Sequence, residues 1–107
     1  MVSFDEWQKI DLRVGLIEDV IIVEGKDKLY KLLVDFGEEK KIVVSGIRKY
    51  YSIDELKGKK VSFVYNLAPV RIAGIDSCAM ILGAINIEGE YKLCFADDSI
   101  KQGTKLE

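Results

Sequence analysis

Apolar and polar residues alternate along much of the chain with a period of two, which predicts β-strands. The first such run, Leu12 to Val23, is the longest, and β-branched residues dominate its second half. Five more runs that fit strands follow at 29–36, 40–46, 59–66, 78–86 and 91–96. Gly15 lies inside the first run, where we expect a bend or bulge that turns a barrel corner.

Two short helices are predicted by a repeated local motif. Ser3 is followed three residues later by Glu6, and Ser52 by Glu55, which is the spacing of a capping box. We expect one helix over residues 4–8 and a second of about one turn after Ser52, which Gly58 is suited to end.

The segment from Asn66 to Met80, NLAPVRIAGIDSCAM, lacks strand alternation. It contains the only proline, a glycine and an arginine, so we predict an ordered loop that leads into the next strand. Asp97 and Asp98 precede Ser99, and we interpret them as a turn with local backbone hydrogen bonds and give them no catalytic role.

Short strands at short intervals, with one brief helix between the third and fourth, favour a five-stranded Greek-key barrel over an alternating βα fold. No linker, repeat or low-complexity run interrupts the sequence, so residues 1–107 are predicted to form one domain. The hydrophobic fraction of 49% and the charged fraction of 32% are typical of a globular protein. No stretch approaches the length of a membrane span, and the N-terminus lacks the features of a secretory signal, so we expect a cytoplasmic location.

Charge restricts the partners that the chain can attract. Sixteen basic residues against eighteen acidic ones leave a net charge of −2, so a nucleic-acid site requires a local basic patch. The candidates recur along loops and strand ends, at Lys26, Lys28, Lys31, Lys40, Lys41, Arg48, Lys49, Lys57, Lys59, Lys60 and Arg71. Most of them fit a solvated face, and the alternative is that a subset converges to neutralise phosphates.

The residue types argue against an enzyme. The chain has no histidine and only two cysteines, so it lacks the donors for a Cys/His zinc site and a histidine base for a nucleophile. Cys78 and Cys94 both lie in apolar stretches, where we expect small buried side chains rather than a disulfide. We predict no catalytic residue, no metal and no cofactor.

Motifs spread over nearly the whole chain resemble one family. They are KIDLRVG (9–15), EGKDKLYKL (24–32), IVVSGI (42–47), YYSIDELKGKK (50–60), NLAP with RIAGIDSCAM (66–80), and the tail DDSIKQGTKL (97–106). In this order and spacing the chain resembles the tRNA-binding domains found at the C-terminus of many methionyl-tRNA synthetases and in free-standing structure-specific tRNA-binding proteins.

This resemblance implies an oligonucleotide-binding (OB) barrel that grips the outer corner of the tRNA L, without catalysis. Lys28 matches the lysine of the family's DKL motif, Asn66 matches the asparagine of NLKP, and Ser77 and Met80 match SxGM. We assign tRNA contact to these four residues, with Arg71 as a supporting phosphate contact.

Two positions depart from the family pattern. Ala68 replaces the lysine of NLKP, and Ala79 replaces the glycine of SxGM. One phosphate contact is therefore expected to be absent, which predicts weaker binding, and Lys26 beside Lys28 is a candidate to compensate.

Two alternatives keep the fold. The segments VDFGEE and RIAGIDS also resemble dimeric export-related chaperones with the same barrel, which bind unfolded polypeptides. Alternatively, the chain is the tRNA-binding subunit of a methionyl-tRNA synthetase and functions only with a catalytic partner. We also expect a homodimer, because Phe4 and Trp7 require a partner surface that a small barrel does not supply.

Overall fold

The computed structural model describes residues 1–107. Its two short helices are α1 (Phe4–Trp7) and α2 (Ile53–Leu56). Its strands are β1 (Leu12–Ile22), β2 (Tyr30–Asp35), β3 (Lys40–Ser45), β4 (Lys60–Val64), β5 (Val70–Ile72), β6 (Ile75–Ser77), β7 (Met80–Ile81), β8 (Gly83–Ile85) and β9 (Tyr91–Leu93). The helix predicted between the third and fourth strands is therefore confirmed.

Five antiparallel strands form a nearly closed barrel in the order β3-β2-β1-β4-β7. The long strand β1 pairs with β4 along Leu12–Leu16 and with β2 along Leu16–Ile22, so one strand serves two neighbours in succession. The predicted mainly-β, five-stranded barrel is confirmed, and β5–β6 and β8–β9 are added to it as two separate hairpins.

The core of the barrel is built from the inward positions of β1, β2 and β4, together with Leu56 of α2. Ile17, Leu32, Leu56 and Phe63 are fully buried. The rings of Phe36 and Phe63 meet edge to face with their centroids 5.3 Å apart. Burial of these side chains is the main stabilising contribution of the fold.

Gly15 was predicted to mark a bend or bulge, and no bulge lies at this residue. The register of β1 against β2 shifts between Ile17 and Asp19, whereas Gly15 continues the ladder to Val61. A Cβ atom at Gly15 would lie 2.5 Å from Cγ1 of Val34 and 2.8 Å from ring atoms of Phe36 and Phe63. The glycine is required because core side chains fill the space over its Cα.

Both capping boxes form as predicted. The Ser52 Oγ atom accepts a hydrogen bond from the Glu55 N–H at 3.3 Å, and a Glu55 carboxylate oxygen accepts one from the Ser52 N–H at 2.8 Å. The Ser3 and Glu6 pair repeats this arrangement at α1. No helix of the structure has the length and apolar character that crossing a membrane requires.

The predicted loop over 66–80 is wrong in part, because residues 70–77 form the β5–β6 hairpin. The predicted strand over 78–86 is divided into β7, which pairs with β4, and β8, which pairs with β9. The division falls at Leu82, whose N–H donates to the Ser62 carbonyl while its own carbonyl accepts from the Cys94 N–H. A change of pairing partner leaves no mark in an alternation pattern.

The expectation that both cysteines are buried is also wrong. Cys94 is exposed and Cys78 is half-buried. The apolar neighbour Leu93 takes the inward position and is 6% exposed, so Cys94 points outward by the two-residue period of the strand.

Candidate nucleic-acid interface

An apolar cleft of about 190 Å³ opens on the outer side of β3 and β7. The loop 66–69 and the β5–β6 hairpin form its other walls. Eight of its ten lining residues are hydrophobic, among them Val44, Leu67, Val70, Ile72 and Met80. Met80 is 47% exposed at the rim, so the family-matched methionine is a surface residue and not part of the core.

The β5–β6 hairpin is set by its two-residue turn. Ala73 and Gly74 have φ angles of 51° and 78°, the left-handed values that a tight turn of the I′ class needs at both central positions. The resulting register places Arg71 opposite Asp76. Their side chains form an exposed ion pair at 3.0 Å, so the Arg71 guanidinium stands at the surface with one partner already bound.

Ser77 lies at the end of this hairpin and is only 6% exposed. Its Oγ atom accepts a hydrogen bond from the Val44 N–H at 2.9 Å and donates one to the Ala79 carbonyl at 3.4 Å. The Cys78 N–H donates to the Ile42 carbonyl at 2.9 Å. These bonds fasten the segment 77–79 along β3, so the Ser77 hydroxyl shapes the cleft wall from inside.

Asn66 joins the cleft loop to the N-terminal segment. Its Oδ1 atom accepts a hydrogen bond from the Asp11 N–H at 2.9 Å, and its Nδ2 atom donates one to the Lys9 carbonyl at 2.8 Å. The side chain is exposed, and the second N–H of its amide is available to a ligand.

Lys28 lies in the exposed loop before β2, at one end of the cleft. Tyr30 pairs with Ser45, which lines the cleft, and the Arg48 N–H donates to the Lys28 carbonyl at 3.2 Å. The Arg48 guanidinium also donates to the Lys26 carbonyl at 3.2 Å. These bonds hold the loop 24–28 against the loop 46–50.

The two joined loops carry cations that have no acidic partner. Lys26, Lys28, Arg48 and Lys49 take part in none of the six salt bridges of the structure. Several other basic residues are neutralised locally, at Arg13, Lys40, Lys41, Lys57, Arg71 and Lys92. The same two loops carry the acidic residues Glu24 and Asp27, so four basic and two acidic residues give them a net charge of +2 in a chain whose net charge is −2. The four basic residues (26, 28, 48 and 49) are called the basic patch below.

A second charged cluster surrounds Tyr65, directly before Asn66. The Arg13 Cζ atom lies 4.2 Å and the Lys41 Nζ atom 3.9 Å from the ring centroid of Tyr65. The Tyr65 hydroxyl donates to a Glu39 carboxylate oxygen, and this bond, together with burial, raises the pKa of Tyr65. Hydrogen bonds to the Asp11 carboxylate raise the pKa of Arg13.

Sequence reasoning gave Arg48 and Lys41 no role beyond membership of the list of basic residues. Arg48 carried no usable signal, because its part in joining two loops depends on tertiary structure. Lys41 did carry a sequence signal, because it lies two residues before the buried Val43 and therefore on the inward side of β3. No cluster of three or more side chains suited to holding a metal ion is present.

A five-stranded antiparallel barrel with a cleft and a basic patch beside it defines a protein of the OB-like nucleic-acid-binding class. The model of the tRNA_bind family, described as a tRNA binding domain, matches residues 12–105. The chain belongs to this family.

Individual relatives agree with the assignment. A methionine–tRNA ligase of Caldanaerobacter subterraneus is 44% identical over 105 residues, which cover 98% of this chain but only 16% of that protein. The crystal structure of a MetRS-related protein from Pyrococcus horikoshii superposes with a TM-score of 0.94 at 33% identity, covering 100% of this chain and 98% of that one. The CsaA chaperone protein of Picrophilus torridus superposes with a TM-score of 0.88 at 35% identity, with both chains fully covered.

Proposed function

We propose that this chain binds folded tRNA at its outer corner, through the cleft beside β3 and the basic patch at its end. The observation that carries the proposal is the set of four cations without acidic partners on two loops that are hydrogen-bonded to each other. When such a patch binds phosphates, it releases the counterions condensed on the RNA backbone. The fixed spacing of the loops favours one backbone shape over an extended strand.

The five residues assigned from the sequence take different roles in this proposal. Lys28 and Arg71 contact phosphates, Arg71 after exchanging its bond to Asp76, and Met80 supplies apolar contact at the cleft rim. Asn66 and Ser77 act chiefly through the backbone that they hold, because their side chains are engaged within the protein. The second N–H of the Asn66 amide adds one direct contact.

The departures from the family motif bear on affinity. Ala68 is exposed on the cleft loop, so the lysine that it replaces would present a charge to a bound backbone. Ala79 is 6% exposed and lines the cleft, so its methyl group reduces the space within the cleft without altering charge. We infer weaker binding than in relatives with both motifs intact, with Lys26 supplying part of the lost charge.

The test is a salt titration of binding, followed by fluorescence anisotropy, with folded tRNA and an unstructured RNA strand of equal length. Wild type is compared with Lys28→Ala and with Lys92→Ala, which removes an exposed lysine from β9, outside the cleft and the basic patch. We expect wild type to prefer folded tRNA. Loss of one phosphate contact in Lys28→Ala should reduce the magnitude of the salt slope by about one unit.

Two outcomes would count against the proposal. Equal affinity for both RNAs would show attraction by charge without recognition of shape. Equal salt slopes for Lys28→Ala and Lys92→Ala would mean that Lys28 of the basic patch does not contact a phosphate.

A second candidate function is binding of unfolded polypeptides, and the apolar lining of the cleft favours it. The CsaA chaperone protein described above shares the barrel. Suppression of aggregation of a denatured client, lost in Val70→Asp at the cleft rim, would support this function. A chain that binds tRNA and leaves aggregation unchanged would exclude it.

We further propose that the chain acts as one domain, without catalysis, as a cytoplasmic homodimer and as a partner of methionyl-tRNA synthetase. The curated relatives are synthetases of which the chain spans about 16%, which supports an accessory role beside a catalytic part. Phe4 and Trp7 are 71% and 42% exposed, respectively, which supports a partner surface at α1. Light scattering at micromolar concentration tests the dimer, and co-purification with synthetase activity tests the partnership.

A further inference from the structure

Lys41 is a half-buried lysine that none of the roles above uses. Its side chain is 17% exposed, against 56% for the adjacent Lys40. It is paired with the fully buried Val34, so it points toward the inside of the barrel at its open end. An ammonium group in such a place needs hydrogen-bond acceptors to offset the loss of water.

The acceptors of the Lys41 ammonium lie next in sequence to two separate segments that line the cleft or lead into its loop. Its Nζ atom donates to the Tyr65 carbonyl at 2.8 Å and to the Cys78 carbonyl at 3.5 Å. Tyr65 directly precedes Asn66, and Cys78 directly follows Ser77. One side chain therefore bridges the two segments that carry the family-matched residues, and its two acceptors lie 24 and 37 positions from it in sequence.

The remaining contacts of Lys41 fix the ammonium and leave it little capacity for phosphate. Its Nζ atom lies 3.9 Å from the Tyr65 ring centroid and 4.0 Å from a Glu39 carboxylate oxygen. A cation with two carbonyls, a ring face and a carboxylate around it is already neutralised and partly desolvated. Lys40, by contrast, bonds only the half-buried Glu18 carboxylate, at 3.0 Å.

From these contacts we propose that Lys41 is a positioning residue for the RNA site. It holds the loop 65–69 and the segment 77–79 at a fixed distance from each other. The ligand in this inference, folded tRNA, rests on the proposed function. The positioning role itself rests only on the contacts by which Lys41 bridges the two segments. Lys41 acts through Asn66, Ser77 and Met80 and does not touch the RNA.

The matched test compares Lys41→Met with Lys40→Met. Each variant removes one charge from neighbouring positions of β3, and methionine keeps most of the side-chain length. We expect Lys41→Met to lose about tenfold in affinity for folded tRNA relative to Lys40→Met, within the range that mutations along a contact network produce. The two variants should have equal salt slopes and equal affinities for an unstructured strand, because both lose the same charge.

A stoichiometric titration gives the active fraction of each variant, so that partial unfolding is separated from weaker binding. A salt slope for Lys41→Met that is lower by about one unit than that of Lys40→Met would make Lys41 a phosphate contact and overturn the proposal. Equal affinity of the two variants for folded tRNA would overturn it too.

A second readout does not depend on RNA. The Tyr65 N–H donates to the Asp11 carbonyl at 2.7 Å and the Cys78 N–H to the Ile42 carbonyl at 2.9 Å, so both amides are protected from exchange with solvent. We expect these two amides to exchange faster in Lys41→Met than in Lys40→Met. If wild type shows no preference for folded tRNA, the proposed function fails. Faster amide exchange in Lys41→Met than in Lys40→Met would still establish the positioning role. Equal amide exchange in the two variants would overturn it.

Discussion

The side chain of Asn66 holds the backbone of Asp11, because its Oδ1 atom accepts the Asp11 N–H at 2.9 Å. Its Nδ2 atom adds a bond to the Lys9 carbonyl at 2.8 Å. An amide that the resemblance assigns to RNA contact thus also fastens the start of β1 to the end of β4. Stability and binding are coupled at this residue, and the two effects can be separated by experiment.

The first prediction concerns Asn66→Ala. Loss of two hydrogen bonds should lower the free energy of unfolding by about 1 to 3 kcal/mol, and affinity for folded tRNA should fall as the cleft loop loosens. The control is Asn86→Ala, which removes hydrogen bonds to the Glu88 and Glu90 amides in the β8–β9 turn. Urea unfolding measures the stability of both variants, and fluorescence anisotropy measures their affinity for folded tRNA. The prediction fails if Asn86→Ala weakens tRNA binding as much as Asn66→Ala does.

The second prediction restores the charge that the family motif has at position 68. Ala68→Lys should increase affinity for folded tRNA and raise the magnitude of the salt slope by about one unit, because a further phosphate is neutralised. Ile87→Lys is the control, since Ile87 is 98% exposed in the β8–β9 turn, outside the cleft. An equal increase for both variants would indicate attraction by net charge and no contact at position 68.

The third prediction concerns Gly15→Ala. The new methyl group would lie 2.5 Å from Cγ1 of Val34, inside the closed core, so the variant should lose about 1 to 3 kcal/mol of stability through overpacking. Gly46→Ala is the control, because the nearest atoms to its Cβ would be 4.0 Å away. Thermal and urea unfolding measure both variants, and a Gly15→Ala protein as stable as wild type would refute the close-packing account of this glycine.

The fourth prediction is a pH dependence of stability at α2. Hydrogen bonds from the Ser52 backbone and side chain lower the pKa of Glu55. A carboxylate with a lowered folded pKa stabilises the folded state above the ordinary glutamate pKa of about 4.3, and this contribution is lost as the pH falls through the folded value.

Glu55→Gln tests the direction of this pH dependence of stability, because glutamine keeps the capping hydrogen bond at every pH. The difference in unfolding free energy between wild type and Glu55→Gln should favour wild type near neutral pH and shift toward the variant below about pH 4. Glu24→Gln is the matched control, because it removes an exposed carboxylate that takes part in no hydrogen bond or salt bridge. A pH-independent difference for Glu55→Gln would contradict the prediction.

Local rules placed most elements correctly. The capping boxes at Ser3 and Ser52 start their helices by bonds within four residues, so sequence alone determines them. Alternation likewise predicted β1 to β4, because each has one face in a common core. The resemblance of the motifs at 24–32 and 66–80 also named the residues of the candidate site.

Contacts between distant segments decided the rest. The division of the predicted strand at Leu82, the crowding over Gly15 and the outward position of Cys94 all depend on which strands become neighbours. The same holds for the site, where Lys41 reaches two carbonyls that lie 24 and 37 positions away in sequence. Sequence determined the periodicity, the caps and the residue types, whereas barrel closure alone brought Lys41, Tyr65 and Cys78 together, because no local propensity encodes the distance between segments that meet only in the folded chain.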